Sequence, residues 1–166
     1  MESKSAKLVG CLPGVGTVML AVFGVFQLAA ALVTLIPSLG HDRVPMQFVP
    51  VWTYFLDPLY DEKPNEAMVK VIAVGSQYVI GLSEAVIGWL LVAAAASGTR
   101  RVGLARIGLS FAAGLFGTFM LTMFIMHEKT LPAWNQYPAI LGWIAVTWVV
   151  VRVEEGWGGG KGGSER

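Results

Sequence analysis

The chain has 166 residues, 55% of them hydrophobic and only 14% charged, with a formal net charge of +1 and a mean hydropathy of +0.62. Such a composition lies outside the range of ordinary soluble domains. The small net charge and the lack of a basic stripe exclude a nucleic-acid partner, and Cys11, the single cysteine, excludes an internal disulfide.

In chain order, Lys4 and Lys7 precede an uncharged run from Leu8 to Gly40. That run is far longer than the ~7–15 apolar residues of a signal peptide, so an uncleaved signal-anchor helix is expected. The next run, Val71 to Thr99, contains only Glu84, and Ile107 to Met126 and Thr130 to Val151 contain no charge. Each reaches the ~20 residues a helix needs to cross ~30 Å of hydrocarbon. The spacing predicts spans over about residues 14–37, 69–97, 103–127 and 135–153. Lipid offers no partners to backbone groups, which leaves helices or a closed barrel. The runs lack the alternating polarity of barrel strands. The predicted fold is all-α: a polytopic membrane protein, an antiparallel bundle of four transmembrane helices, forming one domain over residues 1–153. The glycine-rich tail, 154–166, has nothing to bury and is expected to be flexible.

Four spans place both termini on one side, together with Lys4, Lys7, Arg100, Arg101, Arg106, Arg152, Lys161 and Arg166. The positive-inside rule then predicts cytoplasmic termini, or termini in the equivalent compartment of an organelle. The opposite face collects Asp42, Asp57, Asp61, Glu62, Glu66 and Glu128. On that face the link from Ser38 to Glu66 is long, and its Trp52, Tyr54, Phe55 and Tyr60 are types that settle at headgroup level. A structured segment, with a short helix lying along the membrane or capping the bundle mouth, is expected there. The "SGTRR" link is a tight turn, so the spans it joins should be packed neighbours.

Glu84 falls near the middle of its run, where an ionised acid costs ~2.5–3.5 kcal/mol on insertion scales. It must face protein and be hydrogen-bonded or protonated. Gln77, Gly81, Glu84 and Gly88 share one helix face, and Gly24, Gln27, Ala31 and Thr34 share another in the first span. Glycine lets membrane helices approach closely, so Gly24, Gly81 and Gly88 read as packing glycines. Gly114 and Gly117, in a row with Ser110 and Leu121, read the same way for the third span. Gln27 is the expected partner of Glu84, because its amide both donates and accepts. Arg106 lies too far from mid-depth and should snorkel to the headgroups. His41, His127 and Glu128 form a candidate site at the non-cytoplasmic mouth, but no recognised ligand spacing supports a metal there. Nor does the sequence identify a cofactor.

The residues Gly24-Val25-Phe26-Gln27-Leu28, Gly81-Leu82-Ser83-Glu84-Ala85-Val86-Ile87-Gly88, Arg100-Arg101, His127 and Tyr137-Pro138-Ala139-Ile140 together resemble the DoxX-like family of small four-helix membrane proteins. The resemblance covers most of the membrane part. It departs at Gln27, where members often carry lysine, and in the longer loop after the first span. It implies a four-helix bundle and a role as a membrane partner of oxidoreductases, quinone-linked ones included, or as an assembly factor; it supplies no catalytic residue.

Two functions follow as expectations. The first is a non-catalytic accessory subunit or assembly factor of a membrane complex, redox complexes included, with lipid and other membrane subunits as partners. The alternative is an intramembrane site for a quinone-like or other lipophilic molecule, centred on Glu84 with Gln27 and Gln77. An enzyme acting alone is disfavoured, because one buried carboxyl without a second acid or a base offers little chemistry.

Overall fold

In the computed structural model, which describes residues 13–36, 43–57, 65–126 and 136–159, the apolar runs are helices whose ends are set by local chemistry. Helix α1, Val15–Leu35, follows Gly14, whose carbonyl accepts the Val18 N–H at 3.1 Å. It stops at Ile36, which is extended (φ −108°, ψ 99°), as a residue preceding proline must be. Helix α2 is Arg43–Leu56 and contains Pro50. Helix α3, Glu66–Ala96, is capped by Asn65, whose side-chain oxygen accepts the Ala67 N–H at 2.9 Å, and Glu66 sits favourably against the positive helix end. Helix α4, Arg101–Met126, follows after four residues. Helix α5, Tyr137–Gly159, carries Pro138 in its first turn, where the missing N–H costs nothing.

Four of these helices are long and apolar enough to cross a membrane: Val15–Leu35, Glu66–Ala96, Arg101–Met126 and Tyr137–Gly156. No strand occurs among the described residues. The surface is that of a membrane protein. Val71 is 72% exposed and Trp89 67%, and many other large apolar residues on each of the four helices are exposed as well, which water would penalise and lipid does not.

Helix α1 packs mainly on α3, α3 also on α4, α4 on α5, and α5 back on α1. Leu20 and Phe23 of α1, Ile87, Leu91 and Ala94 of α3, Ala105, Leu109, Ala112 and Phe116 of α4, and Ile144 and Val151 of α5 form the core. Helix α2 lies across α3 and α4, held by a hydrogen bond from Trp52 Nε1 to Ser76 Oγ at 2.8 Å and a longer one from the Tyr54 hydroxyl to the Ile125 carbonyl at 3.4 Å.

The fifth helix differs from the expectation at residue 154. Instead of a loose tail beginning there, it continues through Glu154 and Glu155 to Gly159. The cause is a clasp. The Glu154 carboxylate accepts the Gly16 N–H at 2.9 Å and pairs with Arg101. It joins α1, α4 and α5 at the end of the bundle opposite α2.

Candidate functional site

The contact between α1 and α3 is built on glycine. A β-carbon at Gly24 would lie 2.8 Å from Val92 Cγ2 and 2.9 Å from the Val92 backbone nitrogen. One at Gly88 would lie 2.8 Å from the Gly24 carbonyl oxygen, and one at Gly81 2.7 Å from the Leu35 side chain. In lipid there is no hydrophobic drive between helices, so this close approach is what holds them.

Along that seam the polar side chains gather. Gln27, Thr34, Gln77 and Glu84 are all buried, as are Gly24, Ala31, Gly81 and Gly88. Thr34 Oγ1 donates to Glu84 Oε2 at 3.0 Å, and Gln77 Nε2 donates to the Thr34 carbonyl, so one residue of α1 serves both buried polar side chains of α3. The partner of Glu84 is therefore Thr34 rather than Gln27. Gly24 packs at Gly88, and Thr34 and Leu35 pack at Gly81, which brings Glu84 alongside the last turns of α1. Gln27 is seven residues back along α1, about 10 Å at the helical rise. The same register sets Glu84 beside the C-terminal end of α1 rather than its middle. Its contact Thr34 is one residue from the end of α1.

Gln27 is fully buried, and neither its amide nitrogen nor its amide oxygen has a hydrogen-bond partner. An unsatisfied buried amide costs ~1–3 kcal/mol. Replacing it by leucine should leave the bundle as stable as before or raise its unfolding free energy by about 1–2 kcal/mol in a detergent titration followed by circular dichroism; a clear loss would show that the amide is bonded in the membrane.

On α4 the row Ser110, Gly114, Gly117, Leu121 is not the packing face. Nothing lies within 4 Å of a β-carbon placed at Gly114 or Gly117, and Leu121 is 57% exposed. The buried residues are Ala105, Gly108, Leu109, Ala112, Phe116 and Met123. Ala112 and Gly114 are two residues apart, about 200° around a helix, so the expected seam lies on nearly the opposite side. His41, His127 and Glu128 lie outside the described residues. Elsewhere, no three His, Cys, Asp or Glu side chains come together among the described residues.

A cleft of about 580 Å³ opens beneath α2. Phe48, Val51 and Trp52 roof it, Ile72, Gly75 and Val79 of α3 form one wall, and Leu115, Phe119 and Met123 of α4 form the other, with Tyr137 at the base of α5. Its polar groups are few. Ser76 is spent on Trp52 and on the Ile72 carbonyl, and Thr118 on the Gly114 carbonyl at 2.8 Å. Among the described residues the Thr122 and Tyr137 hydroxyls have no hydrogen-bond partner. Tyr137 packs against Phe116 and Phe119, with ring centroids 6.1 and 5.5 Å away, and is within electrostatic reach of Glu84. Glu84 thus stands behind the cleft rather than in its lining.

No family model matches the sequence, and neither a curated protein nor a solved structure does. The likeness to the DoxX-like family stays a likeness of residues.

Thr34 lies on the predicted seam, but its role, like Gly16, Gly108, the Arg101–Glu154 pair and the cleft, appears only in the structure. Gly108 carried a signal: with Ala105 and Ala112 it makes a second small-residue row on α4. The cleft carried none, because α2 makes its roof from a segment that periodicity leaves unplaced.

Proposed function

We propose that this multi-pass membrane protein binds a lipophilic small molecule, quinone-like in shape, in the cleft between α2, α3 and α4. The observation that carries the reading is the cleft itself: its volume falls in the ~300–1,000 Å³ range of small-molecule sites, and its wall is apolar with two spare hydroxyls. A carbonyl of the guest would accept from Thr122 or Tyr137 while its ring lies among Trp52, Phe119 and Val79. In this reading the polar centre passes from Glu84 to those hydroxyls, with Glu84, Gln77 and Thr34 fixing the α1–α3 wall behind Tyr137. The arrangement we envisage is an antiparallel bundle with cytoplasmic termini and α2 on the far face. The order of contacts from Gly24–Gly88 to Thr34–Gly81 along α1 and α3 supports the antiparallel sense, and the lysine and arginine bias supports the orientation.

The test is saturable binding of a short-chain quinone to the reconstituted protein, read as a rise in thermal unfolding temperature. Gly75→Leu fills the cleft from a position with nothing within 4 Å and should weaken binding tenfold or more, on the order of the 1.4 kcal/mol that one lost decade represents. Thr122→Val and Tyr137→Phe should each weaken it by about two- to tenfold, one hydrogen bond's worth. Binding unaffected by Gly75→Leu would end this reading.

A second reading, the accessory subunit or assembly factor that the family resemblance implies, is favoured by the open glycines of α4. Gly114 and Gly117 offer close approach to a helix that this chain does not itself supply. Extraction in mild detergent should then recover a particle heavier than this chain.

A further inference from the structure

At the clasped end of the bundle, a second groove of about 780 Å³ runs between α4 and α5. Arg106 and Arg152 stand on its two banks, with Trp148 and Ser110 beside them and Leu141 and Ile144 further in. Both arginines are exposed. Arg106 has no carboxylate partner among the described residues. Arg152 pairs with Glu155 at 2.7 Å, but both side chains are about half exposed, so the pair is weak and readily shared. The Trp148 ring lies 5.7 Å below the Arg152 guanidinium and steadies it over the groove.

We propose that this groove holds one anionic phospholipid of the surrounding bilayer, its phosphate between Arg106 and Arg152 and an acyl chain lying toward Leu141. Three features fit that occupant together. Two guanidiniums from adjacent helices supply the planar donor forks that match a phosphate. They sit at the end where Arg101 and Glu154 meet, near the helix termini and therefore at headgroup level. From Arg152 to Leu141 is eleven residues, about 16 Å along α5, close to the ~15 Å depth of one leaflet's hydrocarbon. A polar head and an apolar chain of that length are what one lipid presents. A protein helix would fill the apolar part but would bring no phosphate to the arginines.

The experiment is lipid retention in native mass spectrometry, with the full chain reconstituted in nanodiscs of equal phosphatidylglycerol and phosphatidylcholine. Wild-type protein should retain phosphatidylglycerol with a preference on the order of ten- to thirtyfold, as two arginines near a membrane surface would give. Arg106→Gln with Arg152→Gln should reduce the preference at least severalfold. Arg106→Lys with Arg152→Lys, which keeps the charge but loses the planar forks, should fall between wild type and the glutamine variant. Arg100→Gln, outside the groove, should retain all of it. Equal retention of the two lipids by wild type, or an undiminished preference in the glutamine variant, would overturn the proposal. So would loss in the Arg100→Gln variant as large as in the double variant, since the selectivity would then belong to the general charge of that end. Quinone binding under α2 is read independently at the opposite end, so either site can fail without the other.

Discussion

Replacing Gly88 by valine should force α1 and α3 apart and lower the unfolding free energy by about 3 kcal/mol, the upper end of the usual cost of overpacking. A β-carbon there meets the Gly24 carbonyl oxygen at 2.8 Å and the Leu28 backbone nitrogen at 2.9 Å. Neither is a side chain that can rotate away, and Gly24 faces the reciprocal constraint from Val92 and Gly88. The comparison is Gly114→Ala, where nothing lies within 4 Å. That change should leave stability unaltered or raise it by up to about 1 kcal/mol through helix propensity. Titration of reconstituted protein with a denaturing detergent, followed by circular dichroism, measures both. Equal midpoints for the two variants would mean that the glycine seam is not a contact.

The second large effect is expected at Thr34. Valine has nearly the same shape but no hydroxyl, so Thr34→Val would leave Glu84, only 8% exposed, without the donor that now reaches it at 3.0 Å. The expected loss is about 1–3 kcal/mol, the cost of a buried polar group deprived of its partner. Thr34→Ser restores the donor and should recover most of it. Glu84→Gln keeps an acceptor for the threonine hydroxyl and should cost less than Thr34→Val. The bond from Gln77 uses the Thr34 backbone carbonyl and survives all three changes. Unchanged stability in Thr34→Val would place the carboxyl elsewhere.

How much of this was legible follows from where lipid constrains sequence. Hydrocarbon demands long uncharged runs, so the four long apolar helices could be read with ends within a few residues, apart from the end of the last. On α1 and α3 the interior could also be read, because Gln27, Gln77 and Glu84 are polar among apolar residues and glycines recur beside them. Helix α4 offers no such contrast. It carries small residues on two nearly opposite faces, Ala105, Gly108 and Ala112 on one and Ser110, Gly114 and Gly117 on the other. Only the neighbours decide which face is buried. Pairings such as Thr34 with Glu84 depend on the axial register between helices, which composition does not encode. Charge and glycine around Glu154 make it look like the start of a tail, because its partners Gly16 and Arg101 are distant in sequence.

Helix α3 has 31 residues and α1 only 21. With Gln77 at the level of Thr34, the turns bearing Ile72, Gly75 and Ser76 continue past the point where α1 has ended. That overhang is a shelf, and α2 leans against it through Trp52. A hollow made this way sits toward one end of the bundle rather than at its middle, and in the proposed role its mouth would open to the lipid beside it. An oily guest could step in directly from the leaflet without ever crossing water.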